Sequence, residues 1–327
     1  MHILICPDKL KGTATAPEVA AAIAAVCAER GHTTEVLPLA DGGDGTLDAL
    51  GGPNRTTVVT GPLGAPVEAG WRLDGTTAVI ESARASGLAL LEGQRLRPLD
   101  ATSAGTGQLV RAAVEAGATR VLVTVGGSAM TDGGAPAVEA IGTLPDGVAL
   151  TVACDVTTRF EDAAREFGPQ KGATPDQVEN LTRRLGALRR LYVRRFGVDV
   201  GDIPGAGAAG GLAGGLAALG ARLVPGFDLV ADAVGLDAAI GRADLVVTGE
   251  GLLDATSFAG KVVGSVAERA RAAGVPVAAV VGDVAPGTHA PFPVVSLVET
   301  SGRDRALTDT LAAVREATAR LLAAPTA

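Results

Sequence analysis

Apolar residues at the start of the chain follow the pattern of a buried strand, a helix and a second strand. Residues 3–6 form a continuous apolar run, which is typical of a parallel strand covered on both faces. Thr15 and Glu18 have the spacing of a capping box, so an alanine-rich helix is predicted to begin there and to end before Gly31. A second strand is predicted from Glu35 onwards, which makes the opening a β-α-β unit.

The rest of the chain continues to alternate between strand-like and helix-like patterns of apolar residues. Two runs around a turn rich in glycine and proline predict a β-hairpin at 57–60 and 67–73. Further strands are predicted at 76–80, 121–125, 149–153, 244–248, 275–281 and 294–298. Helices are predicted at 105–116, 175–195, 261–273 and 307–323.

This order of elements predicts an α/β fold with two domains. Both ends of the chain have the β-α-β pattern, so we expect them to share one parallel sheet, with the middle inserted as a second α/β domain. The expected division is residues 1–48 together with 240–327, and residues 49–239. A chain of 327 residues is long enough for two cores.

Charge and aromatic content argue against two classes of partner. The chain has 28 Lys and Arg against 36 Asp and Glu, so it lacks the basic field that attracts nucleic acid. Aromatic residues make up 2% of it, which leaves little for base stacking or membrane anchoring. The three cysteines are isolated, and neither a signal peptide nor a membrane-spanning run is visible. We therefore expect a cytoplasmic protein with neither nucleic-acid nor membrane partners.

Glycine, at 45 of 327 residues, is concentrated beside acidic residues and lysines where predicted strands end. Four segments have this composition: 7–12, 40–46, 126–134 and 248–254. Open α/β sheets bind ligands at the carboxyl ends of their strands. Glycines there let backbone N–H groups approach phosphate oxygens, and nearby carboxylates can hold Mg²⁺. A single Asp-Gly pair is ordinary turn chemistry, but four such segments at strand ends favour a site.

Lysine is scarce, and its positions give a second indication of phosphate binding. Three of the four lysines, Lys11, Lys171 and Lys261, adjoin a glycine. An ammonium is a compact charge with three donors, which suits phosphate oxygens. Solvated surface lysines are the alternative, although this chain uses arginine for most of its basic residues.

Residues 205–210 match G-x-G-x-x-G, the pattern of a dinucleotide-binding loop. That pattern needs a buried strand directly before it, and residues 198–204 make a poor one. The other two explanations are a Gly/Ala helix packed closely against a neighbour and a helix N-terminus that holds an anion. A nicotinamide-dependent oxidoreductase is therefore a third hypothesis, which failure to bind NAD would remove.

Together, the glycine-rich segments resemble the bacterial type I glycerate kinases over residues 3–285. The matching segments are 7–12, 40–46, 60–64, 81–90, 105–107, 126–134, 154–156, 167–173, 204–212, 248–254 and 260–261. The resemblance implies ATP and Mg²⁺ as cofactors and D-glycerate as the acceptor, with 2-phosphoglycerate as the favoured product. It also implies that the first domain is a flavodoxin-like three-layer domain and that the active site lies in the cleft between the domains. A homodimer is left open.

Motif positions then assign hypothetical roles to individual residues, because phosphoryl transfer needs charge neutralisation and positioning more than covalent chemistry. The catalytic candidates are Lys11, Asp41, Asp132 and Asp254, of which the last two are candidate bases. The candidate Mg²⁺ ligands are Asp8, Asp41 and Asp44. The candidates for substrate and phosphate binding are Asp8, Gly42, Gly43, Gly126, Gly127, Ser128, Gly133, Gly134, Lys171, Gly249, Glu250, Gly251 and Lys261.

The chain departs from the family pattern near the expected substrate cleft. Met130 and Thr131 stand where the family has Thr-Asn, the stretch from 142 to 152 is shorter, and residues 157–162 replace an Asn-Pro-Leu and a glycine-rich turn. The alternative hypothesis is a non-catalytic or altered-specificity homologue that binds a small hydroxy acid or a nucleotide. Stabilisation by ligand without turnover would favour that alternative.

Overall fold

The chain divides into two units in a computed structural model that describes residues 1–323. The first unit contains residues 1–41, 48–51 and those from 227 onwards, and the second contains residues 42–47 and 52–226. These boundaries differ from the sequence-based division mainly at residues 227–239, which belong to the first unit. The reason is apolar packing, since Phe227 and Val230 lie in one buried cluster with Leu4 and Val246.

The strands within residues 1–323 make two large sheets and one two-stranded sheet. They are β1 His2–Ile5, β2 Thr33–Val36, β3 Arg55–Thr60, β4 Pro66–Asp74, β5 Thr77–Glu81, β6 Arg120–Thr124, β7 Ala149–Ala153, β8 Arg222–Val224, β9 Leu245–Thr248, β10 Leu252–Leu253, β11 Val277–Val281, β12 Asp283–Val284 and β13 Val294–Ser296.

The α-helices of the same residues range from single turns to one long helix, α7. They are α1 Ala16–Glu29, α2 Thr46–Ala49, α3 Ala83–Ser86, α4 Ala104–Glu115, α5 Ala135–Ile141, α6 Ala163–Phe167, α7 Pro175–Phe196, α8 Leu212–Ala218, α9 Gly226–Val234, α10 Leu236–Ile240, α11 Val262–Ala272, α12 Leu297–Ser301, α13 Arg303–Thr308 and α14 Thr310–Leu321. None of these helices is long and apolar enough to cross a membrane.

The first unit is a doubly wound parallel sheet. Its strands lie in the order β13-β11-β9-β1-β2, and every neighbouring pair is parallel. Counted along the chain this order is 2-1-3-4-5, the flavodoxin-like arrangement. The sequence-based prediction of an α/β fold with a flavodoxin-like parallel domain is confirmed.

Alternation along β1 explains why helices cover both faces of this sheet. Ile3 and Ile5 pack into a cluster with α1 and α14, whereas Leu4 and Cys6 pack into another with α9, α10 and α11. Successive side chains of a strand point to opposite faces, so a continuous apolar run needs cover on each side. The result is a three-layer unit whose loops at the carboxyl edge are free to carry chemistry.

The second unit has a mixed sheet in the order β3-β4-β5-β6-β7-β8. The hairpin β3–β4 is antiparallel, as the sequence predicts, and β4 pairs antiparallel with β5. From β5 to β8 the strands are parallel. Their carboxyl ends therefore share one edge, where the segments after β5 and β6 begin.

Capping explains where the two most clearly predicted helices begin. In α1 the Thr15 hydroxyl accepts the Glu18 N–H, and the Glu18 carboxylate accepts the Thr15 N–H in return. In α7, Thr174 and Gln177 form the same capping box. This reciprocal pairing satisfies two N–H groups that a helix start otherwise leaves without partners.

Candidate active site

In the first unit, the loops that follow β1 and β9 are joined at the carboxyl edge of the sheet. The Asp8 N–H donates to the Gly249 carbonyl at 2.8 Å, and the Thr248 hydroxyl donates to the Cys6 carbonyl at 3.0 Å. These bonds fix the backbone on which Asp8 and Glu250 stand. The prediction that both segments follow strand ends is confirmed by the strand bounds.

Glu250 is a buried carboxyl group and Asp8 is a half-buried one, and the charge of Asp8 acts on Glu250. Burial raises the pKa of Asp8 to about 6; the nearby charge of Asp41 adds to this rise, and Lys9 opposes it. Burial also raises the pKa of Glu250 to about 7, and Asp8 adds to that rise. Glu250 is 7% exposed, and its Oε1 has no hydrogen-bond partner within the described residues. A bound cation would stabilise the ionised form of both carboxyl groups, and a hydrogen-bond donor would satisfy the Glu250 Oε1 atom.

Asp254 occupies a different environment on the same loop. Its carboxylate caps a 3-10 turn at Ala255–Phe258, where Oδ1 accepts the N–H groups of Thr256 and Ser257 at 2.7 and 3.2 Å. The Thr256 hydroxyl donates to the same oxygen at 2.6 Å. These hydrogen bonds lower the pKa of Asp254, which makes it a weak base. The geometry gives Asp254 a capping function.

The two predicted lysines of this unit stand beside these loops. Lys11 is exposed in the loop after β1. Lys261 directly precedes α11, and its charge lowers the pKa of Glu250. Each ammonium is therefore placed at the carboxyl edge, where a phosphate would need a positive charge.

Close backbone packing explains the glycine at position 249 without any ligand. A Cβ added at Gly249 would lie 2.1 Å from the Val280 carbonyl oxygen, so only glycine fits. At Gly251 the nearest atom to an added Cβ is the Lys11 nitrogen, at 3.4 Å. Position 251 therefore tolerates a side chain sterically, and a requirement for glycine there would have to come from a bound group.

In the second unit, the loop at 42–47 packs on the segment that follows β6. A Cβ added at Gly126 would lie 2.8 Å from the Gly43 Cα atom, and one added at Gly42 would lie 2.5 Å from the Gly226 Cα atom. Asp44 lies near Glu81. Burial is the largest cause of the raised pKa of Glu81, and the charge of Asp44 makes a small further contribution. Close packing therefore explains the glycines at 42 and 126.

Lys171 is a buried lysine that holds the segment after β6. It is 2% exposed, and its Nζ donates to the Ser128 hydroxyl at 2.9 Å and to the Met130 carbonyl at 2.6 Å. Burial lowers its pKa to about 8, while the charge of Asp132 opposes that change. Two of its three donors are thus used within the protein. The family departure at Met130 falls at this same residue, whose backbone carbonyl accepts from Lys171 and whose side chain is fully buried.

Asp132 lies in the same segment and is held by backbone donors. Its Oδ2 accepts the Ser103 N–H at 2.6 Å, and its Oδ1 accepts the Gly134 N–H at 3.0 Å. Burial raises the pKa of this carboxyl, while the two N–H groups and the charge of Lys171 oppose the rise. The Tyr192 hydroxyl donates to the neighbouring Gly133 carbonyl at 2.9 Å. The second unit thus brings Ser128, Asp132 and Lys171 together.

Several residues of this cluster were missed by the sequence analysis. Ser103 and Tyr192 stand far from it in sequence, and nothing in their local pattern marks them. The hydroxyl oxygens of Ser82, Thr124 and Thr131 are buried without a partner among the described residues. Ser82 and Thr124 lie where β5 and β6 end, and that position is the one signal that could have identified them.

The G-x-G-x-x-G segment packs closely against other loops and does not form a dinucleotide loop. A 3-10 turn at Val200–Asp202 precedes it, where that motif would need a strand. Gly210 adopts φ 66°, and a Cβ there would lie 2.1 Å from the Met130 carbonyl oxygen. The hypothesis of a nicotinamide-dependent oxidoreductase rests on this motif alone and loses its support.

The predicted Mg²⁺ ligands fall into two places. Asp8 and Asp41 belong to the first unit, and Asp44 belongs to the second. Within residues 1–323 no three or more His, Cys, Asp or Glu side chains are grouped closely enough to hold a metal ion by themselves. Mg²⁺ commonly takes one or two carboxylates and completes its coordination with phosphate oxygens and water. The pair Asp8 and Asp41 fits that smaller requirement: burial raises the pKa of Asp8, and the nearby like charge of Asp41 adds to the rise.

Carboxylates, lysines and glycine-rich loops at the carboxyl edges of parallel strands are typical of a phosphotransferase. Comparison with known proteins supports this class. The family model described as the glycerate kinase family matches residues 3–147 and 143–324. Glycerate 2-kinase of Escherichia coli (strain K12) is 39% identical over 326 residues, which cover 87% of this chain and 86% of that protein.

Two further comparisons extend over most of the chain. Glycerate kinase of Bacillus subtilis (strain 168) is 39% identical over 339 residues, which cover 89% of this chain and 87% of that protein. A solved structure from Salmonella typhimurium LT2, provisionally named glycerate kinase 2, is 37% identical with a TM-score of 0.85. That match covers 99% of this chain and 97% of the other. The chain belongs to the glycerate kinase family and is a phosphotransferase, and membership of a kinase family implies that ATP is used.

Proposed function

We propose that this protein transfers the γ-phosphoryl group of ATP to D-glycerate, with the 2-hydroxyl as acceptor and 2-phosphoglycerate as product. The observation that carries this proposal is the family match, which runs through both units from residue 3 to residue 324. The choice of hydroxyl rests on the similarity to a relative named glycerate 2-kinase.

Asp132 is the carboxylate that we assign as the base for the acceptor hydroxyl. A base works best when its pKa approaches the working pH, and burial moves the pKa of Asp132 upwards. The N–H groups of Ser103 and Gly134 hold the carboxylate in one orientation. Its two oxygens keep lone pairs for a further donor, since a carboxylate has about four acceptor sites. Asp254 lacks these properties because its pKa is lowered.

Asp8 and Asp41 are the residues that would hold Mg²⁺. Burial and the charge of Asp41 both raise the pKa of Asp8, and a bound cation would offset both by favouring the ionised carboxylates. Mg²⁺ held by these two carboxylates would supply positive charge against the phosphates. Lys11 and Lys261 supply further positive charge at the same edge of the sheet, as a phosphoryl donor requires.

Lys171 has a supporting function in this proposal. Its bonds to Ser128 and Met130 fix the segment that carries Asp132. Its ammonium charge favours the ionised form of Asp132, which is the form that accepts a proton. A positioned base of this kind contributes about 10²–10⁴-fold to a reaction rate.

The test is the formation of ADP by the purified chain, supplied with Mg-ATP and D-glycerate. Release of ADP that depends on glycerate is the expected result. L-Glycerate and lactate serve as matched controls, since the first inverts the reacting centre and the second lacks one hydroxyl. The alternative of a non-catalytic homologue predicts thermal stabilisation by these ligands with no ADP released.

A further inference from the structure

A cavity of about 370 Å³ opens at the carboxyl edge of the first unit. Its volume falls within the range of about 300–1,000 Å³ that is usual for small-molecule sites. The loops after β1 and β9 form one part of its wall, through Lys11 and Leu252. Asp283, Arg303 and Leu307 contribute from the segments that follow β11 and β13.

The loops after β1 and β9, which line one side of the cavity, flank the topological switch point of the sheet. The strand order 2-1-3-4-5 reverses direction between β1 and β9, because the crossovers on either side of that point run to opposite faces. Open α/β sheets bind nucleotides and related ligands in the crevice at this position. The floor is closely packed, since a Cβ added at Gly282 would lie 2.4 Å from the Gly251 carbonyl oxygen. Position 282 therefore has to be glycine.

Two leucines at this cavity are unusually exposed. Leu307 is 58% exposed and Leu252 is 48% exposed, the highest values for any leucine within residues 1–323. One exposed leucine needs no explanation, because much of any protein surface is apolar. Two of them at a single cavity offer apolar cover for a flat ligand. This function is one that aromatic side chains often serve, and aromatic residues are only 2% of this chain.

Charged groups of both signs stand beside the leucines. Lys11 adds an exposed ammonium to the wall, and Arg303 donates to Asp283 Oδ2 at 2.8 Å. An ammonium suits phosphate oxygens. A carboxylate at the end of a strand suits ribose hydroxyls, as in dinucleotide-binding folds. Apolar cover, a carboxylate and an ammonium in one cavity match the three parts of a nucleotide: base, sugar and phosphate.

We propose that this cavity binds the adenosine nucleotide, with Leu252 and Leu307 covering the purine, Asp283 facing the ribose and Lys11 reaching the phosphates. The proposal rests on the proposed function in one respect, which is that ATP is the phosphoryl donor. It goes beyond that function by locating the nucleotide within the first unit and by naming the residues that select it.

The test measures nucleotide binding directly and separately from turnover. The Mg²⁺ complex of an ATP analogue with an imido group between the β and γ phosphorus atoms is titrated calorimetrically into the full-length chain. The variants are Leu252→Asp and Leu307→Asp, which place a carboxylate beside the purine. Leu191→Asp is the matched control, because Leu191 is a leucine of the second unit that is 40% exposed and outside the cavity.

The two cavity variants are expected to bind the analogue at least about tenfold more weakly, and the control within about twofold of the parent chain. Their KM for ATP rises by a similar factor, while the KM for D-glycerate stays unchanged. Leu252→Ala and Leu307→Ala remove apolar cover without adding charge, and smaller losses in the same direction are expected. They keep the test valid if a charged variant folds poorly.

The possible failures can be told apart. If both cavity variants bind the analogue as the parent chain does, the cavity is not the nucleotide site, whether or not glycerate is phosphorylated. If the variants lose binding and the parent chain does not phosphorylate glycerate, the nucleotide site stands and the proposed acceptor is wrong. If the parent chain does not bind the analogue at all, both proposals are overturned.

Discussion

The ammonium of Lys171 donates a hydrogen bond of 2.9 Å to the hydroxyl of Ser128, inside the second unit. Lys171 comes from the turn after α6, and Ser128 comes from the segment after β6, 43 residues earlier. The contact therefore joins two separate parts of the chain, one of which also carries Asp132. It also places a charge in a buried environment, which has a measurable consequence for stability.

We predict that stability depends on pH through Lys171 in the alkaline range. Its folded-state pKa of about 8 lies below the ordinary value of 10.5. Between these values the unfolded chain binds more protons than the folded chain, so the free energy of unfolding rises with pH. Lys171→Met removes the ammonium and should flatten this rise. Urea unfolding of both proteins at intervals from pH 7 to pH 10 measures the difference, and equal slopes would contradict the lowered pKa of Lys171.

We predict that Asp132→Asn lowers kcat by about 10²–10⁴-fold, because the amide cannot take the proton of the acceptor hydroxyl. In the parent chain, activity should fall as the pH falls through the raised pKa of Asp132, since the base must be ionised. Steady-state kinetics of both proteins as a function of pH give the readout. If Asp132→Asn keeps its kcat, Asp132 is a structural acceptor for Ser103 and Gly134 only.

For Asp254 we predict the opposite of the result expected for Asp132, namely that the change to asparagine leaves kcat nearly unchanged. Asp254→Asn keeps an oxygen that can accept from Thr256 and Ser257, so both stability and turnover should stay close to those of the parent chain. Asp254→Ala removes the cap and should lower the urea midpoint. A large loss of kcat in Asp254→Asn, with the midpoint unchanged, would return Asp254 to the role of a base.

Two glycines of the same loop should respond differently to alanine. Gly249→Ala places a Cβ 2.1 Å from the Val280 carbonyl oxygen and should cost about 1–3 kcal/mol of stability even without ligands. Gly251→Ala meets its nearest atom at 3.4 Å, so its stability should be nearly unchanged. If Gly251 approaches phosphate, this second variant raises the KM for ATP. An unchanged KM would show that no bound group needs the space.

Much of the fold could be predicted because its buried strands are apolar runs of unmistakable length. The runs at 121–125 and 149–153 correspond to β6 and β7. The edge strand β2 was placed two residues late, because Thr33 and Thr34 pair with β1 through their backbones and carry no apolar signal. The last predicted helix is two helices, α13 and α14, separated at Asp309. Backbone pairing and local breaks of this kind depend on tertiary contacts.

The location of the candidate site could be predicted from the sequence, but most of the contacts within it could not. The four glycine-rich segments do follow strand ends, with Asp8, Asp41 and Glu250 at one sheet edge. The sequence cannot show that Asp254 is used as a cap, because capping and catalysis use the same residue type. It also cannot show that Lys171 is buried, since that depends on Ser128 and Met130, more than 40 residues away.

The most direct test of the assignment as a glycerate kinase is the identity of the product. The purified chain is incubated with Mg-ATP and D-glycerate, and phosphorus NMR identifies the carbon that carries the new phosphate. The expected result is 2-phosphoglycerate, formed in equal amount with ADP. Formation of 3-phosphoglycerate would contradict the proposed hydroxyl, and absence of any glycerate-dependent ADP would contradict the proposed activity itself.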